Sequence, residues 1–283
     1  MAKTFRPMPA VEGVAAGSIA TLNMPIGLTY HGLLFTMGGT TFDLTTYITE
    51  IRLKGNGREI FKCAGADLDL FNKFDGRAGA STTQFYLDFE RYGLDVATGP
   101  SPAEAIRGRE LTAIGTGVSP AVSKALELST LQLEADISSS ASAPTLSAKA
   151  LQSAPRSLGL LKKRRKFVYT PGGAVEFEIS DLPRGDLIDK IYIKSAGNYI
   201  TRVKLERDNF LAFDRTPAEN TLIQQDGVRV PQSSLFVVDP SERGRGDEAY
   251  TTATVQDFRL KITVSAADTL TIYVDYLGAL TGN

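Results

Sequence analysis

Tyr47-Ile48-Thr49-Glu50-Ile51-Arg52-Leu53 returns 152 residues later as Tyr199-Ile200-Thr201-Arg202-Val203-Lys204-Leu205, with four identities in seven. Random pairing at ordinary residue frequencies gives roughly half an identity over that length. Of the three differing pairs, Ile51/Val203 and Arg52/Lys204 are conservative. Upstream, Met24-Pro25-Ile26-Gly27 matches Leu182-Pro183-Arg184-Gly185 at a separation of 158, and Leu33 and Phe35 fall on Ile191 and Ile193 in that register. Downstream the register settles at 151, with Asp75-Gly76 on Asp226-Gly227 and Phe85 to Asp88 on Phe236 to Asp239. The fall from 158 to 152 gives the first copy six extra residues, in the Gly-Gly-Thr-Thr stretch before Tyr47. Insertions concentrate in loops, and four blocks keep their order, so the chain is one domain duplicated in tandem.

Each copy is written as short strands separated by turn residues. Ser18 to Leu22 and Val175 to Ile179 alternate apolar and polar residues, the period of a half-buried strand. In the opening stretch that alternation predicts Ile48, Glu50 and Arg52 on one face and Tyr47, Thr49, Ile51 and Leu53 on the other. Leu128 to Glu134 and Leu270 to Tyr276 are read as the strands that close the copies. Strands at this spacing, with Gly, Pro and Asp between them, predict an all-β sandwich or barrel in each half. Ser101-Pro102-Ala103-Glu104 and Thr216-Pro217-Ala218-Glu219 each predict a short helix, from a capping hydroxyl, a proline at the first turn and a glutamate at the third position. Asp67 to Phe74 predicts another, which the register sets opposite Ala218 to Gln225. The Ser/Ala run Ser138 to Ala143 and the basic run Lys162-Lys163-Arg164-Arg165-Lys166 are read as connector, with the second copy resuming near Phe167. The expected division is 1–155, with an N-terminal arm and the start of the connector, and 156–283.

Composition restricts function. The 31 basic and 32 acidic residues leave a net charge of −1, so no global field of one sign marks the chain as a nucleic-acid binder. Apolar runs are strand-sized, far short of the roughly 20 residues of a spanning helix. The opening MAKTFRPMPAVEG lacks an apolar core region and a cleavage signal, so Sec export is not expected. One cysteine, Cys63, excludes an internal disulfide and a multi-cysteine zinc site.

Met24 to Tyr30 (MPIGLTY), Pro144 to Ser153 (PTLSAKALQS), Gln256 to Ile262 (QDFRLKI) and Tyr273 to Gly278 (YVDYLG) together resemble the major capsid protein of corticoviruses, tailless icosahedral bacteriophages with a membrane beneath the coat. The resemblance runs in order from about residue 14 to 278; the stretches Gly38 to Leu44 and Ser241 to Glu248 depart from the pattern. It implies two eight-stranded antiparallel jelly rolls in tandem and a homotrimer of roughly six-fold outline. It further implies a virion location after synthesis in the bacterial cytoplasm, with neighbouring capsomers, a vertex protein and an internal viral membrane with its proteins as partners. Physics is compatible with that use: a trimer of a duplicated domain presents six similar barrels, and head-to-tail contacts stay finite when the rotation closes.

No chemistry competes strongly. His31, the sole histidine, sits in Leu28-Thr29-Tyr30-His31-Gly32 with no nucleophile motif beside it, and a triad needs three positioned groups. Cys63 lies among small and apolar residues and is read as a buried thiol. Asp67, Asp69 and Asp75 lack the order of ligands and glycine of a calcium loop and are assigned to helix capping and the surface. No cofactor is required, and calcium or another divalent cation is compatible with carboxylates meeting between subunits. Lys162, Lys163, Arg164, Arg165 and Lys166 carry two readings, contact with anionic lipid headgroups or nucleic acid and a solvated connector. Arg-Gly-Asp at 184–186 and 245–247 is turn chemistry. The expected function is a non-catalytic coat subunit. The alternatives are a carbohydrate-binding or carbohydrate-active tandem sandwich, disfavoured by the absence of tryptophan, and a spike or attachment protein.

Overall fold

A computed structural model describes residues 2–94, 109–118 and 127–281. The first copy contains β1 (Thr4–Pro7), β2 (Ile19–Met24), β3 (Thr29–Gly38), β4 (Ile48–Gly55), β5 (Arg58–Cys63), β6 (Gln84–Asp88), a two-residue β7 (Ile114–Gly115), β8 (Leu131–Ile137) and β9 (Thr145–Ser153). The second contains β10 (Leu161–Tyr169), β11 (Val175–Ile179), β12 (Leu187–Ser195), β13 (Ile200–Arg207), β14 (Phe210–Arg215), β15 (Leu235–Val238), β16 (Phe258–Val264) and β17 (Leu270–Gly278). Setting aside β7, which pairs with the start of β3, the sheets run β1-β9-β3-β6 and β2-β8-β4-β5 in the first copy, and β10-β17-β12-β15 and β11-β16-β13-β14 in the second. Both copies therefore pair their first, eighth, third and sixth strands in one sheet and their second, seventh, fourth and fifth in the other. That is the jelly roll, written twice.

The irregularities repeat as faithfully as the strands. Bulges fall between Tyr30 and Gly32 against β9 and between Ile188 and Lys190 against β17, at the offset of 158. Others fall at Ile48/Glu50 and Ile200/Arg202, and at Leu53/Lys54 and Leu205/Glu206, at the offset of 152. A bulge adds a residue and re-aims the strand. It corrects the simple alternation predicted for Tyr47 to Leu53: Ile48 turns inward with Ile51 and Leu53, while Thr49 is exposed. Gly27 and Gly185 both hold φ 123. Each of their amides donates to a buried threonine, Thr116 at 2.7 Å and Thr252 at 2.8 Å, whose hydroxyl donates onward to Leu28 O and Asp186 O at 2.6 Å.

Two helices occupy the same connection, between the fifth and sixth strands: α2 (Gly65–Phe74) and α3 (Pro217–Gln224). The capping box predicted at Thr216 and Glu219 forms, with the hydroxyl and carboxylate exchanging backbone bonds. The helix predicted at Ser101 to Glu104 lies outside the described residues. The extra residues of the first copy build α1 (Leu44–Tyr47), capped by Asp43, which packs against α2.

Two strand expectations are corrected. Leu131–Ile137 is the seventh strand of its copy, partner of β16 in the repeat, and the eighth is Thr145–Ser153. Its inward residues Leu146, Ala148 and Ala150 are mostly small, so the strand carries a weak hydrophobic signal. The Ser/Ala run before it lies between those two strands. The basic run is likewise no connector, since Leu161–Tyr169 is the first strand of the second barrel.

Candidate functional site

The site that distinguishes this molecule from two separate barrels is the seam between them. β10 of the second barrel lies parallel to β5 of the first, with Arg164 opposite Phe61, fusing the two into one eight-stranded sheet, β15-β12-β17-β10-β5-β4-β8-β2. The first core extends across it, taking in Leu161, Tyr192, Leu235, Val237, Tyr273 and Leu280 from the second barrel. Phe71 of α2 reaches over and meets Tyr192 at 4.4 Å and Tyr273 at 5.1 Å between ring centroids.

Charges are buried at this seam in pairs. Arg164 Nε and Nη2 donate to Asp275 Oδ1 and Oδ2 at 2.6 Å each, and both residues are buried. The guanidinium also stacks over Phe61, Phe71 and Tyr192, at 5.0, 4.4 and 5.1 Å. Burial opposes the charge of Arg164, but Asp275 beside it raises the net pKa above the ordinary arginine value. Arg91 of the first barrel pairs with Asp189 of the second and donates to Gly246 O at 2.9 Å. Lys190 Nζ reaches Asp75 of the first barrel at 2.7 Å and Asp239 at 3.6 Å. Lys194 Nζ and the Tyr273 hydroxyl both donate to Asp67 of α2, at 2.5 Å. Buried ion pairs contribute little net stability against an apolar alternative, yet losing one partner strands the other charge. The seam therefore specifies one relative placement of the barrels.

The basic run is absorbed into this seam. Lys163 and Arg164 are buried, Lys163 with its ammonium 2.5 Å from Asp186 Oδ2. Lys162 donates to Glu90 O at 2.9 Å and Arg165 to Glu59 O at 3.0 Å, which leaves Lys166 as the exposed member. The expectation of a solvated connector is corrected by this placement, and so is that of an outward face at Lys163 and Arg164, whose desolvated, paired charges cannot meet an outside anion. The three aspartates first assigned to capping and the surface are also redistributed. Asp67 and Asp75 cross the seam, while Asp69, buried, accepts from Ala80 N at 2.6 Å and pairs with Lys73.

His31 is buried in β3, its Nδ1 2.6 Å from Glu90 Oε1 and its Nε2 2.7 Å from Ser153 Oγ. This reproduces the connectivity of a serine, histidine and acid relay, which the sequence hid because the three lie in separate strands and loops. Lys3 Nζ spans Glu90 and Glu110 at 2.6 and 2.7 Å, so the carboxylates beside His31 are held by an ammonium that ties down the N-terminal strand. Burial raises the Glu90 pKa, and the bonds from His31 and Lys3 outweigh it to hold the carboxyl below its ordinary value. Cys63 is buried and its thiol pushed up to about 12, by burial first. A cavity of about 260 Å³ opens beside α3, lined by residues such as Asn198, Asn220, Gln224 and Gln232. It has no carboxylate, histidine or cysteine in its wall, so it offers no acid–base pair for glycoside chemistry.

Asp189 is followed directly by Lys190, but Asp275 stands as the single acid in the apolar run Tyr273-Val274-Asp275-Tyr276, and it is the sequence signal for the seam. Such an acid predicts a buried cationic partner. It does not say which.

A family model of the viral coat protein P2 N-terminal domain matches residues 5–153, and one of its C-terminal domain matches residues 161–280. The major capsid protein P2 of Pseudoalteromonas phage PM2 is 26% identical over 288 residues, spanning 99% of both chains. The crystal structure of that phage's P2 superposes with a TM-score of 0.87 at 24% identity, covering 100% of each chain. At far lower identity the fold persists: the STIV major capsid protein gives a TM-score of 0.67 at 8% identity over 100% of this chain and 98% of that one. The PBCV-1 capsid gives 0.60 at 10% over 98% and 93%. These likenesses bear out the double jelly roll that the resemblance implied, and the relatives named are coat proteins rather than enzymes. With matching models over both halves of its length, the chain belongs to the viral coat protein P2 family.

Proposed function

We propose that this chain is the major coat subunit of a PM2-like phage, assembling as pseudo-hexagonal homotrimers that tile an icosahedral shell over an internal lipid membrane. The observation that carries it is the seam: two barrels of identical strand order fused side by side by an eight-stranded sheet and buried ion pairs. Fixed side by side, two barrels form a rigid building block, and three such blocks supply the six corners of a hexagon. Catalysis has no part in this role. Shell contacts beyond the trimer, a vertex protein and the membrane beneath are the partners this reading requires, and the two barrels divide the corners between them.

Electron microscopy of particles containing the chain, with its solution mass, tests the reading. The expected results are a species of three 30.5-kDa chains and hexagonal capsomers over a membrane layer. A stable monomer with no ordered assemblies overturns it.

A further inference from the structure

The extra residues of the first copy fill a space that the second copy leaves open. In the first barrel α1 packs against α2, and Phe42 and Leu44 are buried in the core together with Met37, Ile48 and Phe85. The approach is close: a side chain on Gly65, the first residue of α2, would collide with Leu44 O and Ile48 O. In the second barrel Ser195, Ile200 and Phe236 stand at the repeat positions of Met37, Ile48 and Phe85, at separations of 158, 152 and 151. There β12 ends at Ser195 and β13 starts at Ile200, so a four-residue link replaces the helix. Those three residues, with α3 and the segment before β15, line the cavity of about 260 Å³.

The lining decides what can enter. Asn220 and Gln224 are buried on α3, and Asn198, Thr221 and Ser233 stand exposed at the mouth. None of the lining residues carries a charge, so an ion entering would lose its hydration with nothing to replace it. The buried amides are ordered in advance. Asn220 Nδ2 and Gln224 Nε2 both donate to Val237 O at 3.0 Å, and Asn220 Nδ2 donates to Gln224 Oε1 at 3.2 Å. Gln224 Nε2 keeps a second hydrogen, and the amide and hydroxyls of the mouth both donate and accept. Apolar surface comes from Pro217, Ile200 and Phe236. The Phe236 ring is buried edge-on against Phe213, which leaves no open aromatic face for a stacked base. A ligand that fits is neutral, presents hydroxyls on a compact apolar frame and needs no stacking partner. A sugar ring has that chemistry. The volume lies below the roughly 300–1,000 Å³ of drug-sized sites, which gives room for one ring rather than a chain.

We propose that the cavity between α3 and the β12–β13 link binds a single neutral sugar ring. Gln224, held by Asn220, meets it at the floor, and Asn198, Thr221 and Ser233 meet it at the rim. Sugar hydroxyls take the place of water on these groups, an exchange that gains little for so small a ligand, so the expected affinity is millimolar. The lack of tryptophan fits recognition by hydrogen bonds rather than by stacking. Phe42 and Leu44 bury the matching region of the first barrel, so the site is particular to the second.

Saturation-transfer NMR on the full chain tests this. The probes are D-glucose, D-galactose, D-mannose and N-acetyl-D-glucosamine, with D-glucuronate and D-glucosamine as charged counterparts. At millimolar concentration at least one neutral sugar is expected to receive magnetisation from the protein, and the charged sugars at least tenfold less. Thr221→Met with Ser233→Met places two flexible apolar side chains across the mouth, at exposed positions that the fold does not depend on. That double variant is expected to bind at least tenfold more weakly, with an unchanged circular dichroism spectrum. Absence of transfer to all four neutral sugars overturns the proposal. So does transfer that persists undiminished in the double variant, or that is as strong for the charged sugars.

Discussion

The two barrels share a strand order, three bulge positions and a glycine–threonine latch, yet the same position lives in opposite surroundings in each. Phe71 of α2 is buried against two tyrosines, while Ile223 on α3, in the same connection of the second barrel, is half open. Asp88 and Asp239 both end the sixth-strand segment, and each pairs with an arginine from the loop before that strand, Arg77 and Arg229. Burial raises the pKa of Asp88, with Lys162 and Arg77 only partly offsetting it. For Asp239 burial acts the same way, but Lys190 and Arg229 outweigh it and lower the pKa. The topology was retained where backbone geometry demanded it. The side chains diverged according to what each face meets, another barrel of the same chain or the outside.

The comparison is most sharply broken at the seam. Asp275→Ala strands Arg164 and is expected to cost about 3–5 kcal/mol of stability, whereas Leu151→Ala, at the same place in the first barrel, costs about 1 kcal/mol. Urea unfolding followed by fluorescence measures both, and equal losses would mean the seam is not the special contact. Next in size, Phe71→Ala is expected to cost about 3 kcal/mol. Ile223→Ala, measured on dissociated chains, stays within about 0.5 kcal/mol of the parent. A large loss at Ile223 in the monomer would show that α3 is a core helix after all.

The two aspartates separate by pH. Asp239 has a folded pKa below the ordinary 3.8, so its contribution is complete above that value and disappears as pH falls through the lowered one. Asp88 has a folded pKa above 3.8, so its effect has the other sign: stability is lost as pH rises from the ordinary value through the raised one. Asp239→Asn is therefore expected to cost about 2 kcal/mol at neutral pH and to flatten the acid limb of the stability curve. Asp88→Asn costs less at neutral pH. Matching curves for the two variants would refute the contrast. The smallest effect tests what the barrels retain: Thr116→Val and Thr252→Val each remove one latch and are expected to cost about 1 kcal/mol apiece. Unequal losses would show that the shared geometry carries different loads.

Much of the architecture was legible in the residues. The repeat, the drift from 158 to 152 and the turn glycines gave two β-domains with an insertion in the first. Thr216 to Glu219 gave a helix start, because a capping box is satisfied within four residues. Where a strand's inward face was built of small residues, as in β9, the pattern was too faint to separate it from a linker. Local chemistry misled at the basic run for the same reason. Five adjacent cations look solvated until a strand 111 residues away places Asp275 beside Arg164.

The sequence alone determined that this chain is a β-domain written twice, since alternation, turns and repetition are properties of neighbours along the chain. Only the tertiary structure decided which surfaces face each other. Charges spaced for solvent became the buried pairs of a seam, and two identical folds became one half covered and one half exposed. Burial belongs to whatever lies across the gap, and no residue encodes its own neighbour in space.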